Sequence, residues 1–526
     1  MKKSFLALLC ILPMLLSCIQ PQPEDPDDPT TDPVVDPVEV KDPAVTLSGD
    51  KNLQLACEAG TVTVSFTANR NWTVTPDGSW ITVNPESGFA SESPVSVVVT
   101  YEQNPKTTER DTYITIAAES AKVMVNLVQA GDPYAGAAAV ELKSGDVVLA
   151  NSELVEKFLT DNWEYPDWPD ETGTRTTKVF DYYGGFDGTN LTWANWETDW
   201  PDGDLPSAYS IRWNESDMDD SKMVLHMEDE LGWKGDLEVK AGSRFVNVTN
   251  LVPNDKYTYK VTSANGKTVA SGKFSTKGSI HQVFFTGPTT KKKGVIAKGS
   301  GCRNARDLGG WTTLDGKKVK YRKIYRGGRM NEKWTPYPLN AQGEKEVLFE
   351  GIGAELDLRG NSDVIFEPAV AGLAHCAPVI EQGGKTMLVS DAAKTKECFM
   401  FVLNCVRENK PIYFHCSLGR DRTGTLDILL LGLLGVREGV IAREYEITYF
   451  APVGYSVSSS DKQSNPKPLF KNTRLQWVYS DVVPYFWELA AQTPGGTFAE
   501  GVEKYLLEVA GVSQKDIDDF RALMLE

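Results

Sequence analysis

The stretch His415-Cys416-Ser417-Leu418-Gly419-Arg420-Asp421-Arg422-Thr423-Gly424 concentrates a thiol, guanidiniums, a carboxylate and hydroxyls in a few residues. Ahead of it Pro411-Ile412-Tyr413-Phe414 reads as a buried strand, and Thr423 to Leu434 behind it reads as an apolar helix. A short loop from strand end to helix start is an anion site, because its successive N–H groups converge and the helix dipole adds partial positive charge. The same field lowers the pKa of a thiol, so Cys416 is the candidate nucleophile. A phosphate monoester attacked in line needs its nonbridging oxygens held and their charge offset. Arg422 is spaced to curl back as a bidentate clamp, and the segment Ser417, Leu418, Gly419 and Arg420 lines the anion. Thr423 can donate its hydroxyl to the thiolate, above all when sulfur leaves a phosphocysteine. Gly419 and Gly424 permit the tight turn. A bare Cys-x5-Arg is common by chance, whereas the full string between strand and helix is specific.

The elements that must position this loop come from about residue 291 to 526. Candidate strands such as Ala354 to Leu358 and Pro411 to Phe414 alternate there with helical patterns at 393–408, 424–434 and 502–509. Strand-helix alternation implies an α/β layer fold. Residues 140–290 are β-rich, with Ala208 to Trp213 and Phe245 to Leu251 as strands. The Trp-, Tyr-, Asp- and Gly-rich stretch from Trp163 to Trp200 reads as an insertion or a packed irregular loop. Residues 45–131 carry short alternating runs, Thr61 to Phe66, Trp72 to Val74, Val95 to Thr100, Tyr113 to Ala117 and Val123 to Val128, which argue a β-sandwich. The expected architecture is therefore multidomain: two N-terminal all-β immunoglobulin-like sandwiches, then an α/β domain.

The N-terminus gives the address. Met1-Lys2-Lys3, the apolar run Phe5 to Leu16 and Ser17 before Cys18 read as a signal peptide over 1–17, too short to remain as a spanning helix. Leu15-Leu16-Ser17-Cys18 resembles the bacterial lipobox, which implies acylation of Cys18 as the sole membrane attachment. Ile19 follows the cysteine where Asp would signal inner-membrane retention, so the expectation is an outer-membrane lipoprotein on the periplasmic face or cell surface. Residues 18–44 form an acidic, Pro-rich tether. The net charge of −18 disfavours binding of nucleic acid through a broad basic surface. The cysteines form no metal-ligand pattern. Cys398 and Cys405 lie two helical turns apart, about 10 Å at ~1.5 Å per residue, too far for a disulfide.

Three resemblances extend the reading. Asn71 to Val74, Trp80 to Gly88 and the closing Leu127-Val128-Gln129-Ala130-Gly131 resemble the BACON family, which implies either a glycan ligand, with Trp72 and Trp80 as stacking platforms or as core tryptophans, or equally a spacer role. Leu251 to Val261 matches a tyrosine corner, and fibronectin type III is the nearest likeness for 140–290. The domain from 291 resembles the protein tyrosine phosphatase superfamily, in its bacterial secreted tyrosine/serine and lipid phosphatase branch. The loop carries that likeness together with Asn304-Ala305-Arg306-Asp307-Leu308-Gly309-Gly310, Ile324-Tyr325-Arg326-Gly327-Gly328, Asp357-Leu358-Arg359 and the closing segments Glu503 to Leu506, Gly511 to Ser513 and Ile517 to Arg521. Ala305 and Arg420 depart from the branch's Phe and Lys.

The resemblance implies hydrolysis of phosphotyrosine, phosphoinositides or inositol phosphates, without metal or cofactor. Arg326 is counted among the substrate-binding residues, with Asp307 and Asp357 orienting it, Arg359 or the loop. Asp421 takes the branch's position for the general acid, and Asp391, otherwise an N-cap, is the alternative. Arg420 would add a rim cation for multiply phosphorylated or lipid substrates, or serve equally as a surface ion-pair partner. Cys302 or Cys376 is the candidate for a protective disulfide with Cys416. The competing expectation is a glycan-binding surface lipoprotein whose phosphatase-like domain no longer turns over.

Overall fold

The computed structural model describes residues 41–526 apart from 58, 105–108, 132–138, 166–177, 183–202, 214–221, 240–242, 244, 288–290, 293–294, 297–300, 333–338 and 452–476. The signal peptide, Cys18, most of the tether and most of the Trp-rich stretch lie outside the described residues.

The N-terminal region is β-rich, and its strands fall where alternation placed them. One sheet orders Val45–Leu47, Gly60–Ala68, Ser91–Tyr101 and Ile81–Asn84. The other orders Asn52–Leu55, Ala121–Gln129, Arg110–Ala118, Trp72–Pro76 and Ser87–Gly88. Alternate residues of both, among them Phe66, Val97, Val99, Ile114, Ile116, Val125 and Leu127, make one core. Trp72 belongs to that core at 4% exposure, edge-on to Phe66 at 5.0 Å, so its faces are not open to a sugar. The Arg110 guanidinium lies 4.1 Å over the Trp80 ring and covers that platform.

The middle region has a three-stranded sheet (Val140–Glu141, Tyr209–Arg212, Phe245–Val248) and a five-stranded one (Val147–Leu149, Thr268–Lys277, Lys256–Ser263, Met223–Asp229, Lys234–Val239). The Tyr257 hydroxyl accepts from Val252 N at 2.8 Å, the local link expected at that corner.

The C-terminal region is a mixed sheet with helices. We number its strands β1 (Gln282–Phe285), β2 (Cys302–Asp307), β3 (Ile324–Gly327), β4 (Ala354–Asp357), β5 (Ala374–Cys376) and β6 (Ile412–His415), in the spatial order β1-β2-β3-β6-β4-β5. β1, β2 and β3 pair antiparallel, while β3, β6, β4 and β5 run parallel. The helices used below are α1 (Ala341–Glu350), α2 (Ala392–Arg407), α3 (Arg422–Leu433) and α4 (Glu438–Glu446). Central β6 is buried along its length and α3 from Thr423 on, which is why both read as mainly apolar runs.

The sheet starts before the boundary drawn on composition. β1 lies in residues assigned to the middle unit, and Val155, Phe158, Tyr165, Val179 and Ile280 share one core with Leu426, Phe414 and Tyr449. Glu446, at the end of α4, accepts from Tyr165 Oη at 2.6 Å, Val179 N at 3.0 Å and Lys178 N. Burial outweighs those donors and pushes its carboxyl up to about 8. Arg322 completes the seam: it donates to Asp229 at 2.9 Å and to Glu350 at 2.5 Å, and stacks 4.2 Å over Trp233. Long-range pairing of this kind leaves no mark on local composition.

Candidate active site

β6 ends at His415, the chain turns through Cys416 to Asp421, and α3 begins at Arg422. The turn needs Gly419, whose φ is +69° and whose Cβ would stand 2.3 Å from the Gly327 carbonyl carbon. Cys416 is 2% exposed. Burial pushes its thiol up and Asp421 adds to that. Arg422 and hydrogen bonds from the Thr423 side chain and backbone prevail, and the thiol comes down to about 7. The Thr423 hydroxyl is fully buried and has no other hydrogen-bond partner.

Arg422 arches over the loop, donating to Ile380 O at 3.1 Å and Ser417 Oγ at 3.4 Å, with Asp363 Oδ2 at 3.7 Å. Asp363 also accepts from Ser417 Oγ and from Gly360 N at 3.1 Å. Arg329 donates from its guanidinium to Ser417 O at 2.9 Å. Neither Asp363 nor Arg329 was singled out from the sequence. The only signal for each is its place just after Asp357-Leu358-Arg359 or Tyr325-Arg326-Gly327-Gly328. Next to Cys416, His415 pairs with the fully buried Glu355 at 2.8 Å. Burial works against the Asp357 charge, but His415 and the paired Arg359 hold its carboxyl low.

Several expected roles change. Arg326 is fully buried, and its guanidinium donates to Asp427 at 2.6 Å, Glu444 at 2.9 Å and Gly419 O at 2.5 Å. It is enclosed and holds the loop through the Gly419 carbonyl. Arg306 joins it, pairing with Glu444 at 2.5 Å. Against burial, the two guanidiniums pull Glu444 down to about 2, whereas burial raises Asp427. Arg420 is not a free rim cation: only 13% exposed, it pairs with both oxygens of Asp421 at 3.0 and 3.1 Å. Asp421 occupies the N-cap of α3 without a capping bond. Asp391 sits at the N-cap of α2, again without a capping bond, and pairs with Lys394 at 3.3 Å.

A disulfide to Cys416 finds no partner in either candidate. Cys376 on β5 and Cys302 on β2 each lie two strand steps from β6, about 9.6 Å at ~4.8 Å per step, beyond the ~7 Å Cα limit. Cys302 instead contacts Tyr413 Oη at 2.7 Å, and burial pushes its thiol up to about 12. Among the described residues no group of three His, Cys, Asp or Glu is arranged to hold a metal ion.

The site is thus a buried thiol at about 7 in a loop between strand end and helix start, with Arg422 beside it and a mixed sheet beneath. Residues 297–526 match the tyrosine phosphatase family and residues 50–132 the viral BACON domain. A relative from Cupriavidus necator, named "putative tyrosine-protein phosphatase", is 28% identical over 166 residues, which cover 27% of this chain and 59% of the relative. Among solved structures, the Bacteroides ovatus GH5 xyloglucanase in complex with a XXXG heptasaccharide aligns at 18% identity and a TM-score of 0.16, covering 20% of this chain and 27% of that one. A protein from Bacteroides thetaiotaomicron aligns at 18% identity and a TM-score of 0.13, covering 18% and 94% respectively.

Proposed function

We propose that the chain hydrolyses phosphate monoesters through a phosphocysteine intermediate. The observation that carries this is a buried thiol, brought down to about 7, between the helix start, Arg422 and the otherwise unpartnered Thr423 hydroxyl. Thiolate attacks phosphorus in line while the P–O bond to the leaving group breaks. Arg422 and the N–H groups of the loop take the charge of the equatorial oxygens. Asp421 gives its proton to the leaving oxygen, then receives one from the water that cleaves the P–S bond and returns phosphate and thiolate. Thr423 stabilises the departing sulfur.

Within that chemistry we assign phosphotyrosine, phosphoinositide or inositol phosphate as the substrate class, presented outside the cell by two immunoglobulin-like β modules on a lipid anchor at Cys18. The test is phosphate release by the fragment starting at residue 45, wild type against Cys416→Ser, over phosphotyrosine peptides, phosphoinositides and inositol phosphates under reducing conditions. Turnover by wild type alone is expected. Equal activity in both would remove the thiolate mechanism, and silence in both would favour a binding protein.

A further inference from the structure

The phosphate loop is gripped through a chain of hydrogen bonds that begins outside the family-matched segment. Asn304 on β2 sends its side-chain amide to Leu418 O and Gly419 O, each at 3.1 Å. In a planar trans peptide the carbonyl and the N–H of the next residue point in opposite directions. Pinning the carbonyls of 418 and 419 toward Asn304 therefore turns the N–H groups of Gly419 and Arg420 the other way, toward the loop's hollow.

Asn304 can do this only in a particular pose. Its φ is +58°, in the left-handed region that side chains visit sparingly. Arg306 fixes its amide oxygen at 2.6 Å. Its backbone N–H donates to Asp204 Oδ2 at 3.0 Å, and the same carboxylate takes both arms of Arg303 at 2.9 and 2.7 Å. Asp204 is 2% exposed. It is held in turn through its neighbour Gly203, whose carbonyl accepts from Ser152 Oγ at 2.6 Å and Gln282 Nε2 at 3.2 Å. The grip thus runs from the middle region through Asp204 and Asn304 to the loop.

We infer that Asp204 is a positioning residue for the phosphate loop, so that the middle region completes the catalytic unit. The inference rests on the phosphatase reading. A buried carboxylate that serves a bidentate arginine and a backbone N–H is not replaceable by a neutral group of the same shape. The loop should then lose its pose while the fold persists.

The experiment is Asp204→Asn in the full chain, with p-nitrophenyl phosphate kinetics and the pH profile of Cys416 alkylation by iodoacetamide, read by mass spectrometry. The expected result is a kcat lower by about tenfold or more, since sub-ångström displacement of reacting groups is costly, with the alkylation inflection moved to higher pH. Wild-type kcat and inflection in folded Asp204→Asn would overturn the inference. Should wild type itself not turn over, the phosphatase reading falls, while the alkylation shift still tests the positioning. If the Asn variant does not fold, Asp204→Glu carries the test. Its displaced carboxylate cannot satisfy Arg303 and the Asn304 N–H together, so a several-fold loss is expected and wild-type behaviour refutes the inference.

Discussion

The Cys416 thiol is set by a contest between burial, which opposes the thiolate, and Arg422 with Thr423, which favour it. Thiolate exists above the folded pKa, so alkylation by iodoacetamide should rise through an inflection near 7 and level off above it, as stopped-time mass spectrometry would record. An inflection near the ordinary cysteine value would remove the activated nucleophile. The acid is decided by two substrates. If Asp421 protonates the leaving oxygen, Asp421→Asn should slow an alkyl phosphate by about 10²–10⁴-fold and p-nitrophenyl phosphate far less, because the nitrophenolate leaves without a proton. Asp391→Asn should leave both rates unchanged, since Asp391 stands at the start of α2 rather than in the loop that carries Cys416. A loss confined to Asp391→Asn would reverse the assignment.

At the scale of elements, the loop is a strap drawn between β6 and α3 and riveted from below by a buried charge cluster of Arg306, Arg326, Asp427 and Glu444. Breaking one partner of such a cluster leaves uncompensated charge, so Arg326→Met should lower stability by ~3–5 kcal/mol in denaturant melts and abolish turnover with it. A variant as stable as wild type would show the cluster to be dispensable. The loop that carries Cys416 and Arg422 and its flanking strand and helix were legible in the sequence because everything that makes them is contiguous. The grips of Asn304, Asp363 and Arg329 on the loop were not, because each joins segments distant in the chain. The buried setting of Arg326 was illegible for a related reason: its counter-charges Asp427 and Glu444 come from distant segments of the chain. Asp427 was the available hint, a carboxylate inside the apolar run of α3 that could be buried only against a cation.

At the scale of the whole molecule the regions differ in how far they depend on each other. The first region closes its own core, whereas helix Glu153–Thr160 and strand β1 bury Val155, Phe158, Val283 and Phe285 among residues of the C-terminal region. Each such side chain is worth ~1.5–3 kcal/mol when fully buried, against a total stability of ~5–15 kcal/mol for a typical domain. A fragment of residues 291–526, cut where the composition changes, loses all of them and also exposes the edge of β2. That fragment should show no cooperative thermal transition and no phosphate release. A fragment of residues 139–526 keeps the seam of Glu446, Arg322 and Asp204 and should melt cooperatively with the kinetics of the longer chain. Cooperative melting of 291–526 with full activity would mean instead that the shared core is incidental, and that the middle region is a neighbour of the catalytic fold rather than a part of it.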